Sequence, residues 1–145
     1  MKKEQANRTI SDEQLQENEK IETAIAALQQ EPTQEMLAHA LTVIRRQMNA
    51  GGQLIIAVEM SAGTPQMNAR TIKTQDGGCW WFAFTSFDEE IRGSDQVMST
   101  FLTNMRQLFE ITLKTDGING LIINPWNKTI MLDKKLIQII LGENQ

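Results

Sequence analysis

The chain is poor in the residues that usually announce a chemistry: among 145 there are one cysteine, one histidine, three prolines and no tyrosine. The lone Cys79 cannot close an internal disulfide, which suits a reducing, cytoplasmic setting. His39 stands between Ala38 and Ala40 in a helix-period stretch and has no second ligand at metal-binding spacing. Neither a metal nor another cofactor is expected on these grounds. No apolar run approaches the roughly 18 residues needed to span a bilayer. Met1-Lys2-Lys3 leads into Glu4, Gln5, Asn7 and Arg8 rather than into the apolar core of a secretory signal, so no membrane association is expected. Walker, GxGxxG and GxSxG patterns are missing too, which removes the basis for a phosphate cradle or a serine nucleophile on a strained turn.

Clustered positive charge is also scarce. The formal net charge is -4, and Lys and Arg gather only as the distant pairs Lys2-Lys3, Arg45-Arg46 and Lys134-Lys135. Affinity for a phosphate backbone comes from many cations releasing counterions, so no nucleic-acid partner is expected. A hydrophobic share of 41% beside 22% charged residues is that of a folded domain, and 145 residues suit a single core.

What the chain does carry is hydrophobic periodicity. Residues 1–12 are polar and without period. Ser11 and Gln14 have the spacing of a capping box, and Ile21, Ala24, Ile25 and Leu28 then mark a narrow apolar stripe on a helix reaching Gln30. Glu31-Pro32-Thr33 breaks it. Met36, Leu37, Ala40, Leu41, Ile44 and Met48 form a second helix, stopped by Gly51-Gly52. Gln53–Glu59 reads as a strand covered on both faces, residues 67–75 as a less buried strand, and Asp76-Gly77-Gly78 as a turn into a third strand over 79–85. On that third strand Trp80, Phe82 and Phe84 share one face, and Cys79, Trp81 and Ala83 the other.

Further on, the spacing predicts a helix over 95–115, capped by Ser94 or Asp95, with Met98, Phe101, Leu102, Met105, Leu108, Phe109 and Leu113 on its face. A fourth strand over 118–124 and a short run at Thr129–Met131 follow, then a helix capped by Asp133 and closed by Gly142. The expected class is α+β (mixed α/β), with a mixed sheet built from an antiparallel meander and a βαβ crossover, and helices packing on it. A polar, partly helical extension over 1–30 precedes the domain over 31–145, and its narrow stripe suits an interaction helix.

Parallel strands of a βαβ unit end on one edge of the sheet, where open α/β sheets bind ligands. Thr85-Ser86 and Asn124-Pro125-Trp126 should therefore lie side by side, and they are the candidate ligand- or partner-binding residues. Each also has a structural reading, because such side chains satisfy loose backbone groups at strand ends. Asp88-Glu89-Glu90 reads as a solvated acidic turn, since neighbouring carboxylates do not face one another. Trp80 and Trp81 belong to the core, whereas Trp126, after a proline in a surface turn, is either a partner anchor or a lid on the sheet. No constellation of these residues is catalytic.

From about Glu31 to Leu141 the chain resembles the bacterial SseB N-terminal domain family. The resemblance rests on the helix before Leu54-Ile55-Ile56-Ala57-Val58, on Phe84-Thr85-Ser86, on the long helix, and on Gly117-Ile118-Asn119-Gly120-Leu121-Ile122-Ile123-Asn124-Pro125 with its closing helix. It implies a small mixed α/β domain in a bacterial cytoplasm and supplies no catalytic residue. The leading expectation is a non-enzymatic protein-interaction or regulatory domain that binds a protein partner or forms a homo-oligomer. The alternative is a small-ligand-binding or enzymatic domain with Thr85, Ser86 and Asn124 around a pocket.

Overall fold

Pro32 and Thr33 decide how the chain begins to fold. The computed structural model describes residue 15 and residues 17–60, 67–92 and 99–142. Helix α1 (Glu19–Gln30) stops just before this pair, and helix α2 (Gln34–Asn49) starts just after it. The Thr33 side chain accepts a hydrogen bond from the Met36 N–H at 3.1 Å, capping α2. The capping box at Ser11 lies outside the described residues. Gly51, at φ +84°, turns the chain out of α2, a conformation that suits a residue without Cβ.

Among the described residues, seven strands then form one mixed sheet. They are β1 (Gln53–Met60), β2 (Met67–Ala69), β3 (Thr71–Lys73), β4 (Cys79–Phe84), β5 (Ser99–Asn104), β6 (Gly120–Ile123) and β7 (Ile130–Asp133). Helix α3 (Phe87–Arg92) follows β4, α4 (Met105–Lys114) follows β5, and α5 (Lys134–Leu141) follows β7. Strands β4 and β6 run parallel, as expected of the crossover, with Trp80 opposite Gly120 and Ala83 opposite Ile123. The other described pairings are antiparallel.

The meander is more folded than its sequence suggests. Strands β1 and β4 pair directly at Ile55–Phe84 and Ile56–Ala83, then part, and the 67–73 segment fills the fork. Arm β2 runs along β1, the chain bends at Arg70, whose N–H donates to Ala57 O at 3.0 Å, and arm β3 runs along β4. The single strand expected over 67–75 is therefore two. In the turn that follows, the Asp76 carboxylate accepts from the Thr74 hydroxyl and from the Gly78 N–H. Those two bonds, Thr74 first, hold the Asp76 carboxyl below its usual range.

The helix expected over 95–115 is corrected more sharply, because Ser99–Asn104 is strand β5, paired along Gln53–Val58 of β1. Phe101, Leu102 and Met105 fit a helical stripe, but Thr100 and Thr103 favour a strand, and a free β1 edge offers six residues of ladder. The helix proper begins only at Met105, where the Asn104 side chain accepts from Gln107 N–H at 3.1 Å.

One face of the sheet carries α1, α2, α4 and α5 over a core that includes Ile21, Ile25, Ile44, Leu54, Phe109, Leu121 and Ile137. The other face gathers Leu15, Ile55, Ala57, Phe82, Phe84 and Ile122, with Trp80 and Leu102 at its margin. Strands β1, β4 and β6 are thus buried on both sides, as their unbroken apolar runs require. The stripe of α1 faces inward, so α1 shares its core with the residues after 31. Burying each Ile of that stripe contributes roughly 1.5–3 kcal/mol.

Trp80 fits on this sheet because its parallel neighbour is a glycine. A Cβ on Gly120 would stand 2.1 Å from Leu132 O and 2.8 Å from both Asp133 Cα and Trp80 Cζ3. Gly120→Ala is expected to destabilise the domain by at least about 2 kcal/mol, read as a lower urea midpoint, whereas Ala at exposed Gly77 meets no neighbouring atom within 4 Å and is resisted only by its φ of +91°. Ile25→Ala, in the α1 stripe, should cost about 2–5 kcal/mol in the same measurement.

Candidate functional site

At the carboxyl end of the parallel pair the backbone ladder is continued by a side chain. Asn124 N–H donates to Ala83 O at 2.8 Å, the last backbone rung. The next donor, Thr85 N–H, finds Asn124 Oδ1 at 2.9 Å, while Asn124 Nδ2 donates to Thr85 Oγ1 at 2.9 Å. Asn124 reaches this position at φ +57°, a left-handed conformation that Asn tolerates better than most residues. Its own carbonyl accepts from the Thr129 hydroxyl, which folds the following turn back on it. Both Thr85 and Asn124 are fully buried.

The network extends into the first turn of α1. Thr85 Oγ1 donates to Glu22 Oε2 at 2.5 Å, and Asn18 Nδ2 donates to Thr85 O at 3.1 Å and to Gln53 O at 2.8 Å. Four segments, α1, the start of β1 and the ends of β4 and β6, are thereby tied at one point. Asn18 Oδ1 and Gln53 Oε1 are buried there without a hydrogen-bond partner, so the cluster retains a desolvation cost. The sequence reading missed Asn18 and Glu22, although a signal was present: they share a helical face with Ile21 and Ile25 at spacings of three, four and seven.

Of the remaining candidates, Ser86 caps α3, its Oγ accepting from Glu89 N–H at 3.2 Å. Glu89 is only 3% exposed and accepts from Asn127 Nδ2 at 3.2 Å, so this carboxylate links α3 to the turn after β6. That corrects the reading of Asp88-Glu89-Glu90 as a solvated turn: the segment is helical and Glu89 points inward, although Asp88 is exposed as expected. Pro125 is half-buried. The Trp126 indole lies 6.2 Å from the Phe82 ring and 6.3 Å from the Phe84 ring, yet stays 40% exposed. It covers the end of the second core and presents an outer face at once.

The five candidate residues do meet at one edge, but their roles divide. Thr85, Ser86 and Asn124 are engaged with the protein itself, whereas Trp126 is 40% exposed and Phe87, the first residue of α3, is 42% exposed. Grooves of about 390 Å³ between α2 and α5 and of about 500 Å³ between α1 and α2 lie elsewhere among the described residues. His39 lines the latter, and among the described residues no three His, Cys, Asp or Glu side chains gather as metal ligands. No described helix is long and apolar enough to cross a membrane.

Asn124 can be tested at both of its tasks. Asn124→Ala removes the side-chain rungs and keeps the left-handed backbone, so it should destabilise by about 2–4 kcal/mol. Asn124→Gly removes the same rungs but relieves the backbone, and its urea midpoint should fall less, by the equivalent of about 1 kcal/mol.

Comparison with known proteins gives one result and two blanks. Neither the curated proteins nor the solved structures compared give a match. The family model of the SseB protein N-terminal domain matches residues 21–138, which takes in α1 from Ile21, the whole described sheet and, of the Asn124 network, Glu22, Gln53, Thr85 and Asn124 but not Asn18. The chain therefore belongs to the SseB N-terminal domain family.

Proposed function

We propose that this chain is a non-enzymatic protein-interaction domain that receives its partner at the carboxyl end of β4 and β6, with Trp126 as anchor. The observation that carries this reading is the division of labour at that edge: Thr85 and Asn124 are buried and bonded to each other, while Trp126 and Phe87 are 40% and 42% exposed. An exposed indole on a rigid base loses little side-chain entropy when covered, which is why such residues dominate interface energetics. The rigid base here is the pair Phe82 and Phe84.

The rival reading, a ligand pocket lined by Thr85, Ser86 and Asn124, needs convergent polar groups with capacity to spare. Those three already serve the ladder and the α3 cap. A cytoplasmic setting agrees with the single cysteine, which is partly exposed as a free thiol.

Immobilised wild type and Trp126→Ala should be compared for retention of proteins from the native cell extract, with thermal melts run on both. The expected result is a partner held by wild type and bound at least about 30-fold more weakly by the variant. Its melt should shift only by the loss of packing on Phe82 and Phe84. Equal retention by both would remove Trp126 as the anchor.

A further inference from the structure

The sheet has two terminal strands, and they are protected very differently. At one end β7 is short, four residues, and closes on Asp133. At the other end β5 pairs with β1 over six residues, and among the described residues no strand lies against its outer side. Its sequence, Ser99-Thr100-Phe101-Leu102-Thr103-Asn104, has no charge and no proline. Charge, proline and shortness are the usual devices that keep an edge from pairing again. Phe101 sits opposite Ile56 on the helix-bearing face and is 42% exposed, while Thr100, Leu102, Thr103 and Asn104 are half-buried.

We infer that β5 is a self-association edge, through which two copies of this chain join their β5 strands antiparallel into one continuous sheet. A strand paired with itself about a two-fold axis is antiparallel by necessity, so one edge supplies both sides of the ladder. Charge does not oppose this pairing: although each chain carries a net charge of -4, β5 brings no charged side chain opposite another. Pairing also brings each Phe101 ring within cross-strand or diagonal reach of the other copy, covering an apolar side chain that the single chain leaves exposed. This edge is distinct from that of Trp126: β5 flanks β1, and Trp126 follows β6 on the far side of β4.

Size-exclusion chromatography with light scattering on the full chain, from about 10 to 500 μM, tests the inference. Wild type should show a dimeric mass that dissociates on dilution. Phe101→Lys and, on the other face of the strand, Thr100→Lys should each raise the dissociation constant at least about tenfold, and Trp126→Ala should leave it unchanged. Hydrogen exchange on wild type gives a reading independent of any variant, since half of the β5 amides, those directed away from β1, should slow as concentration rises. A monomeric mass throughout, β5 exchange independent of concentration, or a dimer abolished by Trp126→Ala and indifferent to both lysines would each overturn it. Loss of the dimer in Phe101→Lys with Trp126→Ala still failing to bind its partner would leave the two surfaces separately established.

Discussion

An asparagine side chain standing in for a peptide group is the interaction on which the rest of this structure depends. Strand β6 has only four residues, too few to hold a parallel partner firmly by its own backbone. Asn124 lengthens it: its amide accepts from Thr85 N–H where the next carbonyl would have been. Asn119 does the same at the opposite end, accepting from Cys79 N–H at 3.0 Å while its own N–H donates to Cys79 O at 2.7 Å. Two asparagines thus bracket β6 and extend its pairing with β4 by a rung at each end. The segment from Asn119 to Asn124 that links this chain to its family has a physical meaning in these contacts.

Because Asn124 also bonds the Thr85 hydroxyl, that hydroxyl is oriented toward Glu22, and the first turn of α1 is fixed to the sheet edge. The same bonds explain why the three polar candidates are not on offer at the edge. Thr85, Asn124 and Ser86 serve the ladder and the α3 cap, while the Trp126 and Phe87 rings are exposed. Left-handed geometry at Asn124 directs Pro125 and Trp126 back across Phe82 and Phe84, which sets the indole on a packed support.

How much of this was legible in the sequence depended on whether the deciding interaction was local. Asp133 and Gly142 act within a turn of their own helix, and their caps are where the spacing put them. The apolar runs of β1, β4 and β6 required cover on both faces, and the parallel pairing that brings Thr85 to Asn124 followed from one crossover. Strand β5 was not legible, because Phe101, Leu102 and Met105 suit a helix and only the free edge of β1, some fifty residues earlier in the chain, makes them a strand. The bend at Arg70 has the same origin, a fork between β1 and β4 that no local pattern records. Asn18 and Glu22 were legible as a helical face and not as members of a site, since their partners come from three other segments.

The most direct test of this account is a double-mutant cycle between Asn124→Ala and Thr85→Val, read by urea denaturation. If the two side chains act as one unit that closes the parallel ladder, the double variant should be less destabilised than the sum of the single ones. The expected coupling is about 1 kcal/mol or more. Additivity within about 0.3–0.5 kcal/mol would contradict it, because the Asn124 amide and the Thr85 hydroxyl would then contribute independently and not as one unit.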